Sequence, residues 1–436
     1  MNVNCIRCKS RLFCGKSSCT IIAKSNAVFK VKSLFNNNLN KENFSSFSPS
    51  PFIGHTNYPK INIGFLAPPE LPQHKVENNE NYNQNTISIL DRTLYDSPRE
   101  WNKQNFNINR LIEIRSSLIN SRFTANVNLH LNVNSDKSKY ISHLQEIGAS
   151  IKPPDIEFKL KDKPTFNVNY DSHLSPHGPN ANVRSFNVTS NPKIPAKLDK
   201  VMSDTDLKAS DALTYLYRHG FDENILAKSL SVGNFGLKKS RKLVPTRWSI
   251  TATDDTIGKD IINKIKDYST YDYAAYFGSY LGNYFLVLCF PDVWSYELFE
   301  TYMPSASWNI TKEVQFTTDF EGYEGRKSYA ENCAGGYYAS RLAVLEKLLQ
   351  LKKQSSVLVI RVITGEYIAP MGVWVVREAA RNAVSQKPIK FSSKELMLNY
   401  AKILIKKKFG YDISPILQQS KLLRYQKTQT KLTGFL

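Results

Sequence analysis

The chain has 436 residues, 41% of them apolar, with 23 Tyr, 23 Phe and 5 Trp. That is enough apolar surface for sizeable cores, which excludes a wholly disordered chain and predicts two or three domains or one large domain with appendages. Its 58 Lys and Arg exceed 38 Asp and Glu for a net charge of +20, a balance that favours a polyanionic partner, set against a solvated basic face that only keeps the protein soluble. The longest apolar run, residues 284–290, is far below the roughly 20 residues of a bilayer span. No apolar h-region follows the N-terminus, so the expectation is a cytoplasmic protein with no membrane association.

In chain order, the first signal is chemical. Cys5, Cys8, Cys14 and Cys19 lie within residues 1–22. Four thiolates so close together in a cytoplasmic chain predict ligation of Zn²⁺ in place of disulfides, since a segment this short has no core to fold on without a metal. A full set of four leaves no open position for water, so the expected role is structural. Free cysteines are the alternative. Residues 36–51 and 68–84 are rich in Asn, Ser and Pro and read as linkers; between them, residues 54–64 read as a strand-like piece flanked by turns.

Ordered structure then looks continuous. The periodicity predicts a helix over 107–118, a strand over 123–133 from strict alternation, and a helix over 204–219 with an acidic first turn. Residues 247–252 read as a strand followed by a helix over 256–268, and 273–290 as a hairpin turning at Gly282-Asn283. Helices over 331–351, 372–384 and 392–409 enclose a strand at 357–363. The expected fold class is α+β, a mixed or antiparallel sheet with packed helices, plus the small four-cysteine zinc module and a flexible C-terminal tail. The expected organisation is a zinc module at 1–22, a linker-rich segment at 23–84 with a short strand near 52–66, an α+β body at 85–385, a basic helical segment at 386–428 and a terminal peptide at 429–436.

Several constellations could carry chemistry. Residues 238–242 are a basic cluster leading into Arg247 and Trp248, a combination suited to phosphate contact with base stacking; the alternative is a core tryptophan. Asp204 with Asp206, and Asp254 with Asp255, are carboxylate pairs of the kind a two-metal nuclease needs, but each precedes a predicted helix, where Asp ordinarily caps or sits in the first turn. His173 and His177 flank a proline and read as a surface turn more readily than as a metal pair. Gly335-Gly336 could offer amides to a phosphate or allow close packing of a helix on a sheet. Cys289 and Cys333 are expected to be buried thiols. From 386 to 436 there are eleven Lys or Arg against Glu395 and Asp412. The 392–409 helix is expected to turn Leu396, Tyr400, Ile403 and Leu404 to one face and Lys394, Lys402, Lys406 and Lys408 largely away, which would hold the body near DNA.

The last eight residues, 429–436, have the spacing of peptides that dock on the replication sliding clamp: Gln429, Leu432, Phe435 and Leu436. In one 3₁₀ turn, residues three apart eclipse, so Leu432, Phe435 and Leu436 form one apolar plug and Gln429 is left to hydrogen-bond. A tail folded onto its own domain is the alternative.

Taken together, the cysteine cluster with Leu12-Phe13-Cys14-Gly15, residues 54–64, 201–213, 242–255, 335–348 and 372–381, and the terminal peptide resemble the archaeal Nre family of DNA-repair proteins over nearly the whole chain. The resemblance implies repair of damaged DNA with recruitment through the sliding clamp, PCNA, and a location at the nucleoid when on DNA. It supplies no catalytic residue. Clamp peptides usually end in two aromatics, where this chain has Phe435-Leu436. The expected function is therefore a clamp-recruited DNA-repair factor, with a metal-dependent nuclease using Asp204, Asp206, Asp254 and Asp255 as the alternative and an RNA-binding protein as a third reading.

Overall fold

The computed structural model describes residues 11, 19–35, 43–68, 91–132, 137–164, 175–304, 306, 308–309 and 311–428. Cys5, Cys8 and Cys14, His173 and the peptide from Gln429 to Leu436 lie outside them. The chain divides into two compact units, Thr20–Thr256 and Ile257–Leu436, the second also taking the few described residues before Thr20. Both are mixed α+β structures.

The first unit opens with helix α1 (Thr20–Phe35), then strands β1 (Asn43–Phe47), β2 (Ser50–Ile53) and β3 (Lys60–Ala67). Residues 43–51, read as linker, are therefore largely in strands. Helices α2 (Pro98–Lys103) and α3 (Ile108–Ser117) follow, the latter capped where Asn107 accepts the Arg110 N–H at 2.9 Å. Strand β4 (Ile119–Asn126) ends earlier than the alternation suggests; the chain then turns into a 3₁₀ segment at Leu129–Asn132. Helix α4 (Ser138–Ala149), strands β5 (Asp155–Leu160) and β6 (Asn180–Val188), and helices α5 (Ala196–Ser203), α6 (Ala209–Arg218) and α7 (Glu223–Ser231) complete it up to α8 (Thr246–Ile265).

These strands form one sheet in the order β1-β5-β6-β4-β3-β2, antiparallel except where β4 runs parallel to β6. Phe44, Phe65, Phe158 and Phe186 pack in its core with Ile141, Leu144 and Ile147 of α4, and the Phe44 and Phe158 rings stack at 5.2 Å. Gly64 is required by the pairing of β3 with β4, because a Cβ there would sit on the Ser121 carbonyl.

The second unit contains strands β7 (Ala274–Tyr280), β8 (Asn283–Phe290), β9 (Ser295–Tyr302) and β10 (Gln315–Glu321), helix α9 (Ala334–Leu351), strand β11 (Ser356–Ile363), helix α10 (Trp374–Ser385), the short strand β12 (Ile389–Lys390), and helices α11 (Lys394–Phe409), α12 (Ser414–Gln419) and α13 (Lys421–Thr428). The sheet order is β10-β9-β11-β8-β7-β12, with β11 parallel to β9. The β7–β8 hairpin turns at Leu281 and Gly282, both at positive φ, as the Gly282-Asn283 signal predicts.

The two faces of this sheet differ in chemistry. On one, Leu286, Leu288, Phe299, Leu358 and Ile360 pack against Met397, Ala401 and Ile405 of α11 and Ile416, Leu422 and Leu423 of the last two helices. The other carries charge. Glu300 and Arg361, paired across β9 and β11, form a buried ion pair, and Arg361 also donates to the Asn283 side-chain oxygen at 2.6 and 3.1 Å. Arg341 of α9 meets Glu321 at 2.7 Å with both side chains fully buried, and Arg326 reaches Asp319 at 3.2 Å. Asp319 in turn accepts the N–H groups of Asn332 and Cys333, closing the start of α9. Each of these buried charges thus has an opposite partner or several donors, as burial demands.

Glu297 is the charged exception on the apolar face. It accepts the Ser420 hydroxyl at 2.5 Å and the N–H groups of Lys421 and Leu422 at 2.9 and 3.0 Å. A strand carboxylate therefore caps helix α13 and fixes the start of the last helix to the sheet. Burial pushes its carboxyl above the ordinary value, with these hydrogen bonds opposing the shift.

Candidate nucleic-acid interface

Residues 247–252, read as a strand, are the beginning of α8, which runs without a break from Thr246. The β-branched Ile250, Thr251 and Thr253 suggest extended chain, but tertiary contacts override that preference. Pro245 accepts the N–H groups of Trp248 and Ser249, starting the first turn, and the Thr246 hydroxyl accepts the Ile53 N–H at 3.2 Å from 193 residues away. The Ser231 and Thr246 hydroxyls are also within 3.4 Å. The first turn of α8 is thereby tied to the β2–β3 hairpin and to the end of α7.

That attachment decides what Trp248 does. It is 51% exposed, whereas Trp101, Trp294 and Trp374 are buried, so it is not a core tryptophan. Its ring lies 5.8 Å from that of Tyr58, tilted by 45°. Tyr58, 49% exposed, stands in the turn that leads into β3. Arg247 is exposed beside Trp248, and its guanidinium makes no ion pair or hydrogen bond with the described residues. Lys60 and Lys242 are exposed nearby, one registered with Asn126 and the other with Asn128. Sequence reasoning selects Arg247 and Trp248 but not Tyr58 or Lys60, whose association with them exists only once the hairpin docks.

The rest of the basic cluster is split in role. Lys238 and Lys239 are exposed, but Arg241 points inward and donates to the carbonyls of Gly236, Met202 and Asp204 at 2.6–2.8 Å. Asp204 accepts the N–H groups of Asp206 and Leu207 at 3.0 and 3.1 Å, which closes the turn between α5 and α6; it does not cap a helix, since α6 has Lys208 at its N-cap. The predicted 204–219 helix is in fact the turn after α5 followed by α6. Asp254 is buried in α8. Among the described residues no three His, Cys, Asp or Glu side chains are grouped to hold a metal ion. His177 Nδ1 lies 2.8 Å from the Gly178 carbonyl, and Cys19 is half-buried and unbridged.

In the second unit, Lys406 and Lys408 are exposed on α11 and Lys402 is half-buried. The helix is rotated by one residue from the expected face, about 100°: Met397, Ala401 and Ile405 are buried, while Leu396 and Ile403 are 53% and 66% exposed. Lys408 Nζ lies over the Phe277 ring at 5.1 Å. Asp412 is held below the ordinary carboxyl value by the Ser414 N–H and hydroxyl, then by Lys402 and Lys406. This lysine face and the Arg247–Trp248 face belong to different units. At Gly335-Gly336 the close-packing alternative holds: both residues are buried and a Cβ on Gly336 would collide with the Glu300 carboxylate. Cys289 and Cys333 are buried, and burial pushes the Cys289 thiol up to about 12.

Comparison with known proteins divides the chain at a different point from the two compact units. The model described as archaeal Nre, N-terminal, matches residues 13–309 and that described as archaeal Nre, C-terminal, matches residues 321–435. The chain belongs to the archaeal Nre family. Similar family members are DNA repair protein NreB of Archaeoglobus fulgidus, 33% identical over 98% of this chain and 99% of its own, and DNA repair protein NreA of the same organism, 36% identical over 90% and 91%. DNA repair protein NreA of Haloferax volcanii is 35% identical over 78% of this chain and 77% of its own. No solved structure matches. The N-terminal family segment ends between β9 and β10 and the C-terminal one begins at the end of β10, so both contribute strands to the second sheet.

Proposed function

We propose that this Nre chain acts in the repair of damaged DNA, contacting DNA through Arg247 and Trp248 and through Lys402, Lys406 and Lys408. The observation that carries this reading is the exposed indole of Trp248 beside a guanidinium of Arg247 that no described residue pairs, a combination suited to stacking on a base while neutralising a phosphate. It agrees with the names of the relatives that span the chain. Recruitment runs through the clamp PCNA, which takes Leu432, Phe435 and Leu436 as an apolar plug and Gln429 as a hydrogen-bonding arm. Burial of three such side chains is worth about 1.5–3 kcal/mol each before ordering costs, which leaves a contact of micromolar order. In the sequence the peptide follows α13, whose start Glu297 fixes to the sheet. Cys5, Cys8, Cys14 and Cys19 hold a structural Zn²⁺. The protein works in the cytoplasm, at the nucleoid.

The test is calorimetry of clamp binding by the full chain and by a truncation after Lys427, alongside DNA binding over a salt series. The expected result is clamp binding lost on truncation and DNA affinity falling with salt. Unchanged clamp binding by the truncated chain overturns recruitment through the peptide, and absence of any DNA affinity overturns the DNA reading.

A further inference from the structure

We propose that Tyr58 and Trp248 form a stacking platform for an unpaired base, so that the first unit holds single-stranded DNA in preference to duplex. This rests on the DNA-binding reading above and specifies the form of DNA. Two large aromatic side chains stand half in water at one spot, their rings 5.8 Å apart and tilted by 45°. A gap that small does not admit a base between them. Tyr58 instead backs one side of the indole and leaves Trp248's outer face as the stacking surface.

The platform is held at both ends. The Ile53 N–H to Thr246 hydroxyl bond joins the hairpin to the helix, and the Gly54 N–H to Asn62 carbonyl bond at 2.8 Å closes the turn that carries Tyr58. A fixed aromatic surface loses little rotamer freedom on binding, which favours stacking.

Charge around it selects a polyanion. Lys60, Lys242 and Arg247 are exposed, and neither residues 54–68 nor residues 238–253 contain an Asp or Glu. Bases in a duplex present only their edges, since both faces are covered by neighbours. An unpaired base has a free face, and every base offers one. An aromatic platform with bare cations beside it therefore distinguishes strand state and not sequence.

The experiment uses fluorescence anisotropy of the full chain with an oligothymidine strand of about 20 nucleotides, the same length of duplex, and the corresponding RNA strand. The expected result for Trp248→Ala is a loss of about ten- to a hundredfold in single-strand affinity with duplex affinity almost unchanged. Trp248→Phe keeps most of the affinity, and Tyr58→Ala falls between the two. Arg247→Gln weakens strand and duplex alike and lowers the salt dependence. Single-strand affinity unaltered in Trp248→Ala overturns the platform, as does equal loss on strand and duplex in a folded variant. Tighter binding of the RNA strand overturns the assignment to DNA. No affinity for either form of DNA in the wild-type chain overturns the underlying DNA reading instead.

Discussion

Glu297 offers the sharpest test of how the second unit is held together. In Glu297→Ala the Ser420 hydroxyl and the Leu422 N–H, both buried, lose their acceptor, while the Lys421 N–H lies on an exposed residue that water can reach. Each orphaned buried donor costs about 1–3 kcal/mol, and removing a carboxylate whose burial is itself unfavourable returns part of that. The net expectation is about 2–4 kcal/mol, or a fall of roughly 5–15 °C in the thermal transition of a unit of this size. The loss falls on packing as well as on the helix, because Leu422 and Leu423 belong to the core cluster on that face of the sheet. Calorimetry gives the transition, and amide exchange at residues 421–428 shows whether the last helix opens first. A destabilisation below about 0.5 kcal/mol, within ordinary surface-substitution scatter, would refute the capping argument. The pH dependence follows with a definite sign. A carboxyl raised above its ordinary value, near 4.5, contributes stability that is fully present below that value and lost as pH rises through the folded one. Glu297→Gln does not titrate, so the margin of wild type over this variant should shrink as pH rises from about 4.5, read from urea midpoints at several pH values.

Three further outcomes follow. Arg361→Met leaves Glu300 buried without its cation and removes both donors from Asn283; it should cost about 3–5 kcal/mol, and Glu300→Gln in the same chain should recover part of it in a double-mutant cycle. Gly64→Ala drives a methyl into the Ser121 carbonyl of the neighbouring strand, so it should destabilise the first unit by several kcal/mol, on the order of 3 or more, and leave the second unit's transition in place. The proposed four-cysteine zinc site predicts one zinc per chain by elemental analysis of the purified protein and its loss in Cys8→Ser, with the transitions of both described units preserved.

What the sequence conveys is governed by how local the determining contacts are. Helices α3, α9 and α11 and the β7–β8 hairpin are legible because period, caps at Asn107 and Ser393, and the Gly282 turn lie within a few residues of one another. Strands β1 and β2 are not, since their composition is that of a linker and the partner of β1, β5, lies far along the chain. Helix α1, with no strong amphipathic stripe, leaves no sequence signal. At the candidate interface, Arg247 and Trp248 are conspicuous by type, but whether the tryptophan faces solvent depends on the distant bond between Ile53 and Thr246. The phase of α11 is hidden because Leu396 and Ile403 are as apolar as the residues that are in fact buried.

The charged layer in the second unit bears on how this protein responds to heat. Glu300–Arg361, Glu321–Arg341 and Asp319–Arg326 occupy one face of a single sheet, whereas the first unit is centred on stacked phenylalanines. The penalty for withdrawing ions from water falls as temperature rises, while apolar burial gains little further. The two units should therefore part company on warming, the aromatic core weakening first while the ionic layer holds the sheet that carries the final helix. Any heat-damaged form of the protein would then keep its last helix on the sheet after the surface around Trp248 had melted.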